Sequence, residues 1–197
     1  MSRFTSRDQR HACVILRCPF SRLASAYLDK IVEETNVLNR YIESHRKGSG
    51  WKRWKRRGGV SHITFDYFVR SMGVENTLKG GIHWRPQTDF LVYDTYDDYF
   101  CLEDFQTAVE TLKNKINMSV IDARPFTKHS VSEHNSSEGG GYSVLAPDKL
   151  HAMKLQGSLP AYRDLYTEEL VEIVRSVYRS DLDLYKDIFG DAALMFR

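Results

Sequence analysis

The chain has 197 residues, of which 42% are hydrophobic and 27% charged, with a formal net charge of +2 at pH 7. Those proportions allow one sizeable core and exclude a disordered or collagen-like polymer, while the near-balance of charge makes the whole molecule no obvious polyanion binder and leaves local charge the more informative. No apolar run has the length of a membrane span or the form of a signal peptide, and the cysteines, Cys13, Cys18 and Cys101, have no close-spaced partner of the zinc-binding kind. An odd, sparse cysteine set fits a reducing compartment, so a cytoplasmic location and no metal are expected.

In chain order, Val14 to Leu16 reads as a buried strand of a parallel sheet, followed by Arg17 and by Pro19 in the first turn of a helix, where its missing N–H costs nothing. Phe20, Leu23, Ala24, Tyr27, Leu28 and Ile31 recur at helical spacing and form a core-facing stripe, with Ser21, Arg22, Ser25 and Asp29 on the other side. The helix is expected to run toward His45, where RKGSG breaks it. Arg17 thus ends a strand beside a helix start. Backbone N–H groups and the helix dipole favour an anion there, and a guanidinium adds a fork for phosphate oxygens. Ser25, two turns on, can add a hydroxyl. An ordinary strand–helix unit with a surface arginine and serine fits this spacing equally well.

The run WKRWKRRGG, Trp51 to Gly59, is dense in lysine and arginine and carries two tryptophans. It reads either as a positive, aromatic-bearing surface for an anionic glycan or nucleic acid, with Lys52 and Arg53 as contacts, or as a solvated loop. Ile63 to Met72 is helical by pattern, and Gly80 and Gly81 release the chain into IHWRPQ, Ile82 to Gln87. Phe90 to Phe105 is extended material entering a helix over Glu103 to Lys115, and Met118 to Phe126 is a further strand and exit loop. Thr127 to Pro147, rich in serine, glycine and histidine, is a loop. Leu165 to Phe189 reads as helical, with Thr167 as a cap and Glu168 and Glu169 in the first turn.

The segment RCPFSRLASAYLDK resembles the R-x-P-F-x-R-L-x-S-A-Y-x-D-K segment of the Golgi-type carbohydrate sulfotransferases, the chondroitin and dermatan sulfotransferase-like family 2. Further stretches agree in order. ITFDYFVRSM is similar to that family's T-F-x-x-F-V-R helix, IHWRPQ to its H-W-x-P-Q signature, HNSS (His134 to Ser137) to a polar N-x-S-S loop, and the close of the chain to D-x-x-L-Y-x-x-x-F-G. The resemblance implies an α/β fold with a P-loop-like parallel sheet flanked by helices. It also implies that Arg17 and Ser25 hold the 3'-phosphate of 3'-phosphoadenosine 5'-phosphosulfate (PAPS), the co-substrate, with Asn135, Ser136 and Ser137 closing over the donor.

The departures are equally specific. The family's 5'-phosphosulfate loop, a strand and a Lys/Gly/Ser/Thr-rich turn, should precede Arg17, and MSRFTSRDQRH has neither glycine nor lysine to cradle a phosphate. The sheet is therefore expected to be incomplete at its N-terminal edge. Residues 1–197 are expected to form a single domain, the C-terminal part of the family's full domain, which binds nucleotide without turnover when isolated. The family's cysteine pair after H-W-x-P-Q is replaced by TDFLVYDTYDDYF, which argues against a secretory lumen, with Golgi or membrane association as the alternative if an anchor lies upstream.

Sulfuryl transfer needs a base for the acceptor hydroxyl and cations or backbone donors for the leaving phosphate. By resemblance His83 is the candidate base, a structural histidine beneath Trp84 being the other reading. Arg85 and Gln87 are candidates for contact with an acidic sugar. The expected activity is transfer of sulfate from PAPS to a hydroxyl of a carbohydrate acceptor, an anionic glycan being one class of such acceptor, with no specific nucleic acid. The alternative is a non-catalytic module that retains the 3'-phosphate site.

Overall fold

The computed structural model describes residues 11–33, 38, 41–42, 62–124 and 141–197. Two parallel strands, β1 (Cys13–Leu16) and β2 (Asp98–Cys101), pair in register from Cys13 opposite Asp98 to Leu16 opposite Cys101. Around them stand α1 (Pro19–Lys30), α2 (Phe65–Ser71), α3 (Glu75–Gly80), α4 (Phe105–Ile116), α5 (Pro147–Leu155), α6 (Glu168–Val177) and α7 (Arg179–Phe189). This is a helix-rich α/β arrangement, with a parallel pair joined through a long helical crossover. Among the described residues each strand has one partner, and Ile15 is 41% exposed. The strand expected to be buried is therefore covered mainly at Leu16.

Helix α1 is the centre of the core. Phe20, Leu23, Ala24, Tyr27 and Leu28 are buried as the stripe requires, but Ser21 is buried too and Arg22 is half-buried. The expected solvent side is thus largely covered, because the loop after α3 lies against it. The helix stops at Lys30, well short of His45, with Ile31 as its C-cap. Phe65 and Phe68 of α2 pack on Tyr27, with ring centroids 5.3 and 5.5 Å away. Full burial of each such side chain contributes about 1.5–3 kcal/mol. Thr64 caps α2, its Oγ1 accepting from the Tyr67 N–H at 3.2 Å. Arg70 then ties α2 to α6 through a two-point bond to Glu169, at 2.8 and 2.7 Å.

The closing segment is two helices. Thr167 caps α6 as its position predicts, accepting from the Leu170 N–H at 3.3 Å. The chain then breaks at Tyr178, which leaves helical geometry (φ −107°, ψ 28°) and serves as both the C-cap of α6 and the N-cap of α7. The strand expected over Met118 to Phe126 is not formed across the described residues 118–124. Asn117 ends α4 in the left-handed region (φ 55°), and the chain leaves with Ile121 78% exposed. Residues 51–57 and 134–137, and with them Lys52, Arg53, Asn135, Ser136 and Ser137, lie outside the described residues.

Candidate functional site

Arg17 stands where β1 gives way to α1. Cys18 is the N-cap of α1 without a side-chain capping bond, and Pro19 occupies the first turn. The Arg17 guanidinium is half-buried, centred 5.6 Å from the Tyr162 ring, with Nε 3.8 Å from Glu103 Oε1. Its backbone is held by a side chain from the Ile82–Gln87 loop. The Gln87 side chain accepts the Arg17 N–H at Oε1 (2.9 Å) and donates Nε2 to the Arg17 carbonyl (2.8 Å). One amide thus continues the hydrogen-bonding pattern of a strand beyond the end of β1. Ser25, half-buried, lies two turns along α1.

Gln87 is fixed in turn by Asp181 of α7, which is 2% exposed. The Asp181 carboxylate accepts from the Gln87 N–H at 2.7 Å, the Thr88 N–H at 2.9 Å and the Thr88 hydroxyl at 2.9 Å. Three donors on one carboxylate offset the cost of burying its charge.

The Ile82–Gln87 loop is pinned at several points. Trp84 is 1% exposed and donates its indole N–H to the Thr77 carbonyl at 2.8 Å. Its ring lies so close to Gly81 that a Cβ there would sit 2.2 Å from the indole, so glycine is required by contact. The Tyr178 hydroxyl donates to the Trp84 carbonyl at 2.6 Å. Arg22 reaches across from α1 to donate to the carbonyls of Arg85 (2.7 Å) and Ile82 (3.2 Å). Burial pushes the Arg22 pKa down, and the nearby Arg17 charge acts in the same direction, against Tyr178 and Asp181. Arg22, expected at the surface, is a clamp on this loop.

His83 is half-buried, its ring centroid 6.4 Å from that of Trp84, four positions before Gln87 on the same loop. Arg85 donates to the Lys79 carbonyl and lies over the Phe90 ring at 5.8 Å; its buried Nε has no hydrogen-bond partner among the described residues. The structure therefore gathers Arg17 and Gln87 directly, and places His83 and Arg85 on the loop that holds them.

Glu103, Tyr185, Asp181, Tyr178 and Arg22 also belong to this site, and no local motif or spacing in the sequence marks them for it. Glu103 follows β2, and its carboxylate accepts the Cys18 N–H at 3.2 and 3.3 Å, while the Tyr185 hydroxyl and the Cys101 thiol lie 3.2 Å from its Oε2. Cys101 Sγ and the Tyr185 hydroxyl are 2.8 Å apart. Burial raises the Cys101 pKa, an effect that Glu103 reinforces and Tyr185 opposes. Among the described residues there is no group of histidine, cysteine and carboxylate side chains that could hold a metal, and no helix is long and apolar enough to cross a membrane.

The site is an arginine at a strand end, an uncapped helix start and a serine on that helix, braced by a loop that carries a histidine. The sequence profile of the sulfotransferase family matches residues 2–187. No curated protein and no solved structure shows a significant match. With nearly the whole length matched, including every element that builds this site, the chain belongs to the sulfotransferase family.

Proposed function

We propose that this protein transfers sulfate from PAPS to a hydroxyl of a carbohydrate acceptor. The observation that carries the reading is the Arg17 position: a guanidinium at the end of β1, beside the uncapped first turn of α1, with its backbone locked by Gln87. In this reading Arg17 and Ser25 hold the 3'-phosphate of the donor. A charge-assisted contact of that kind is worth about 1.5–3 kcal/mol. Gln87 and, behind it, Asp181 position Arg17.

In the transfer, the acceptor oxygen forms a bond to sulfur as the bond from sulfur to the 5'-phosphate oxygen breaks. Adenosine 3',5'-bisphosphate leaves with the electron pair, and the acceptor's proton passes to a base. We assign that base to His83, whose loop is braced against the Arg17 strand end. Arg85 on the same loop, with Lys52 and Arg53, is assigned to an acidic acceptor, and Asn135, Ser136 and Ser137 to closure over the donor.

Calorimetric titration with adenosine 3',5'-bisphosphate and with AMP tests the donor assignment, because the two differ in the 3'-phosphate. The bisphosphate should bind at least about tenfold more tightly, the equivalent of one charge-assisted contact. Equal affinity would remove the 3'-phosphate site. Transfer of labelled sulfate to a panel of neutral and uronate-bearing oligosaccharides, by the chain joined to a segment carrying the 5'-phosphosulfate loop, tests the acceptor class.

A further inference from the structure

The anion position beside Arg17 already holds an anion from the chain itself. Glu103 accepts the Cys18 N–H with both carboxylate oxygens, at 3.2 and 3.3 Å, and stands 3.8 Å from Arg17 Nε. These are the groups, a guanidinium and an N–H at a helix start, that suit a phosphate. The carboxylate comes from the short turn Leu102–Asp104 that joins β2 to α4, and its side chain is 35% exposed, so it has room to swing outward. Its other neighbours, the Tyr185 hydroxyl and the Cys101 thiol, hydrogen-bond to each other and remain paired if it leaves.

We propose that Glu103 is a displaceable latch on the donor site: it occupies the Arg17–Cys18 anion position in the free protein, and the donor's 3'-phosphate must push it aside. This rests on the assignment of that position to the 3'-phosphate. A phosphate carries more charge than a carboxylate and offers three oxygens to the arginine fork, so it wins the exchange, while weaker anions do not. The latch also keeps Arg17 in place between Tyr162 and the start of α1 when no nucleotide is bound. The cost is donor affinity, since the bisphosphate must first break the Glu103 contacts and then meet a displaced negative charge nearby.

The test is calorimetric titration of the full chain and of Glu103→Gln, Glu103→Ala and Arg17→Ala with adenosine 3',5'-bisphosphate and with AMP, after thermal melts establish that each variant folds. Both Glu103 variants should bind the bisphosphate about five- to tenfold more tightly than the parent, the effect of one unit charge a few ångströms from the phosphate in a solvated site. AMP affinity should not change. Equal or weaker bisphosphate binding by both Glu103 variants, with Arg17→Ala still impaired, would overturn the latch and leave the donor site standing. A parallel gain for AMP would also overturn it, as a general charge effect. Bisphosphate binding indifferent to Arg17→Ala would bring down the donor-site assignment, and the latch with it.

Discussion

Gln87 and Arg17, 70 residues apart in sequence, share a two-point hydrogen bond in which the Gln87 side-chain amide pairs with the N–H and carbonyl of Arg17. The amide takes the place of a neighbouring strand at the point where β1 ends, and so fixes the direction in which the arginine leaves the sheet. Gln87→Glu keeps the shape but turns the donor into an acceptor facing the Arg17 carbonyl. This variant should lose about 1–3 kcal/mol of stability, for one bond broken and one carbonyl left unpaired. Urea unfolding measures the loss, and bisphosphate titration should show weakened binding alongside it.

Asp181 supports that pair from α7. Removing its carboxylate strips partners from two backbone N–H groups and one hydroxyl at once. Asp181→Ala should destabilise the protein by about 2–4 kcal/mol, more than most surface substitutions. A shift of the urea midpoint within the range of a neutral surface change would show that the loop is held by other contacts.

Gly81→Ala should be disruptive for a different reason. The new methyl would lie 2.2 Å from a Trp84 indole that is 1% exposed and bonded to Thr77, so the ring cannot swing clear into solvent. Overpacking of this sort costs about 1–3 kcal/mol. The thermal midpoint should fall, and near-ultraviolet circular dichroism should report a displaced tryptophan.

The local signals were legible because they act within a few residues. Pro19 opening α1, Thr64 and Thr167 capping α2 and α6, and the apolar stripe of α1 each follow from neighbours in sequence. Arg17 and Ser25 were reached through the motif that contains them. The bracing of the site was not legible, since its bonds span 63 residues for Arg22 to Arg85, 85 for Glu103 to Cys18 and 94 for Asp181 to Gln87. The break at Tyr178 belongs with these. A helical pattern runs through it, yet its side chain bonds the Trp84 carbonyl, a tertiary contact that no periodicity signals.

His83 offers a split between binding and chemistry. As the base for the acceptor hydroxyl, its loss should lower kcat about a hundredfold or more, the usual range for a general base. Nucleotide affinity should stay the same, because the proposed donor contacts come from Arg17 and Ser25. His83→Gln, measured by labelled sulfate transfer in a chain joined to a segment carrying the 5'-phosphosulfate loop and by bisphosphate titration, separates the two. Loss of nucleotide affinity together with stability would assign His83 to the loop's architecture.

A 3'-phosphate site at the start of α1 requires that Arg17 and Ser25 set the affinity for a 3'-phosphorylated nucleotide. Its most direct measurement is calorimetric titration of adenosine 3',5'-bisphosphate against the parent chain, Arg17→Ala and Ser25→Ala. Each substitution removes a hydrogen bond to a charged phosphate, so Arg17→Ala and Ser25→Ala should each lose affinity equivalent to about 1.5–3 kcal/mol, roughly ten- to a hundredfold. Unchanged affinity in both variants would contradict the 3'-phosphate site.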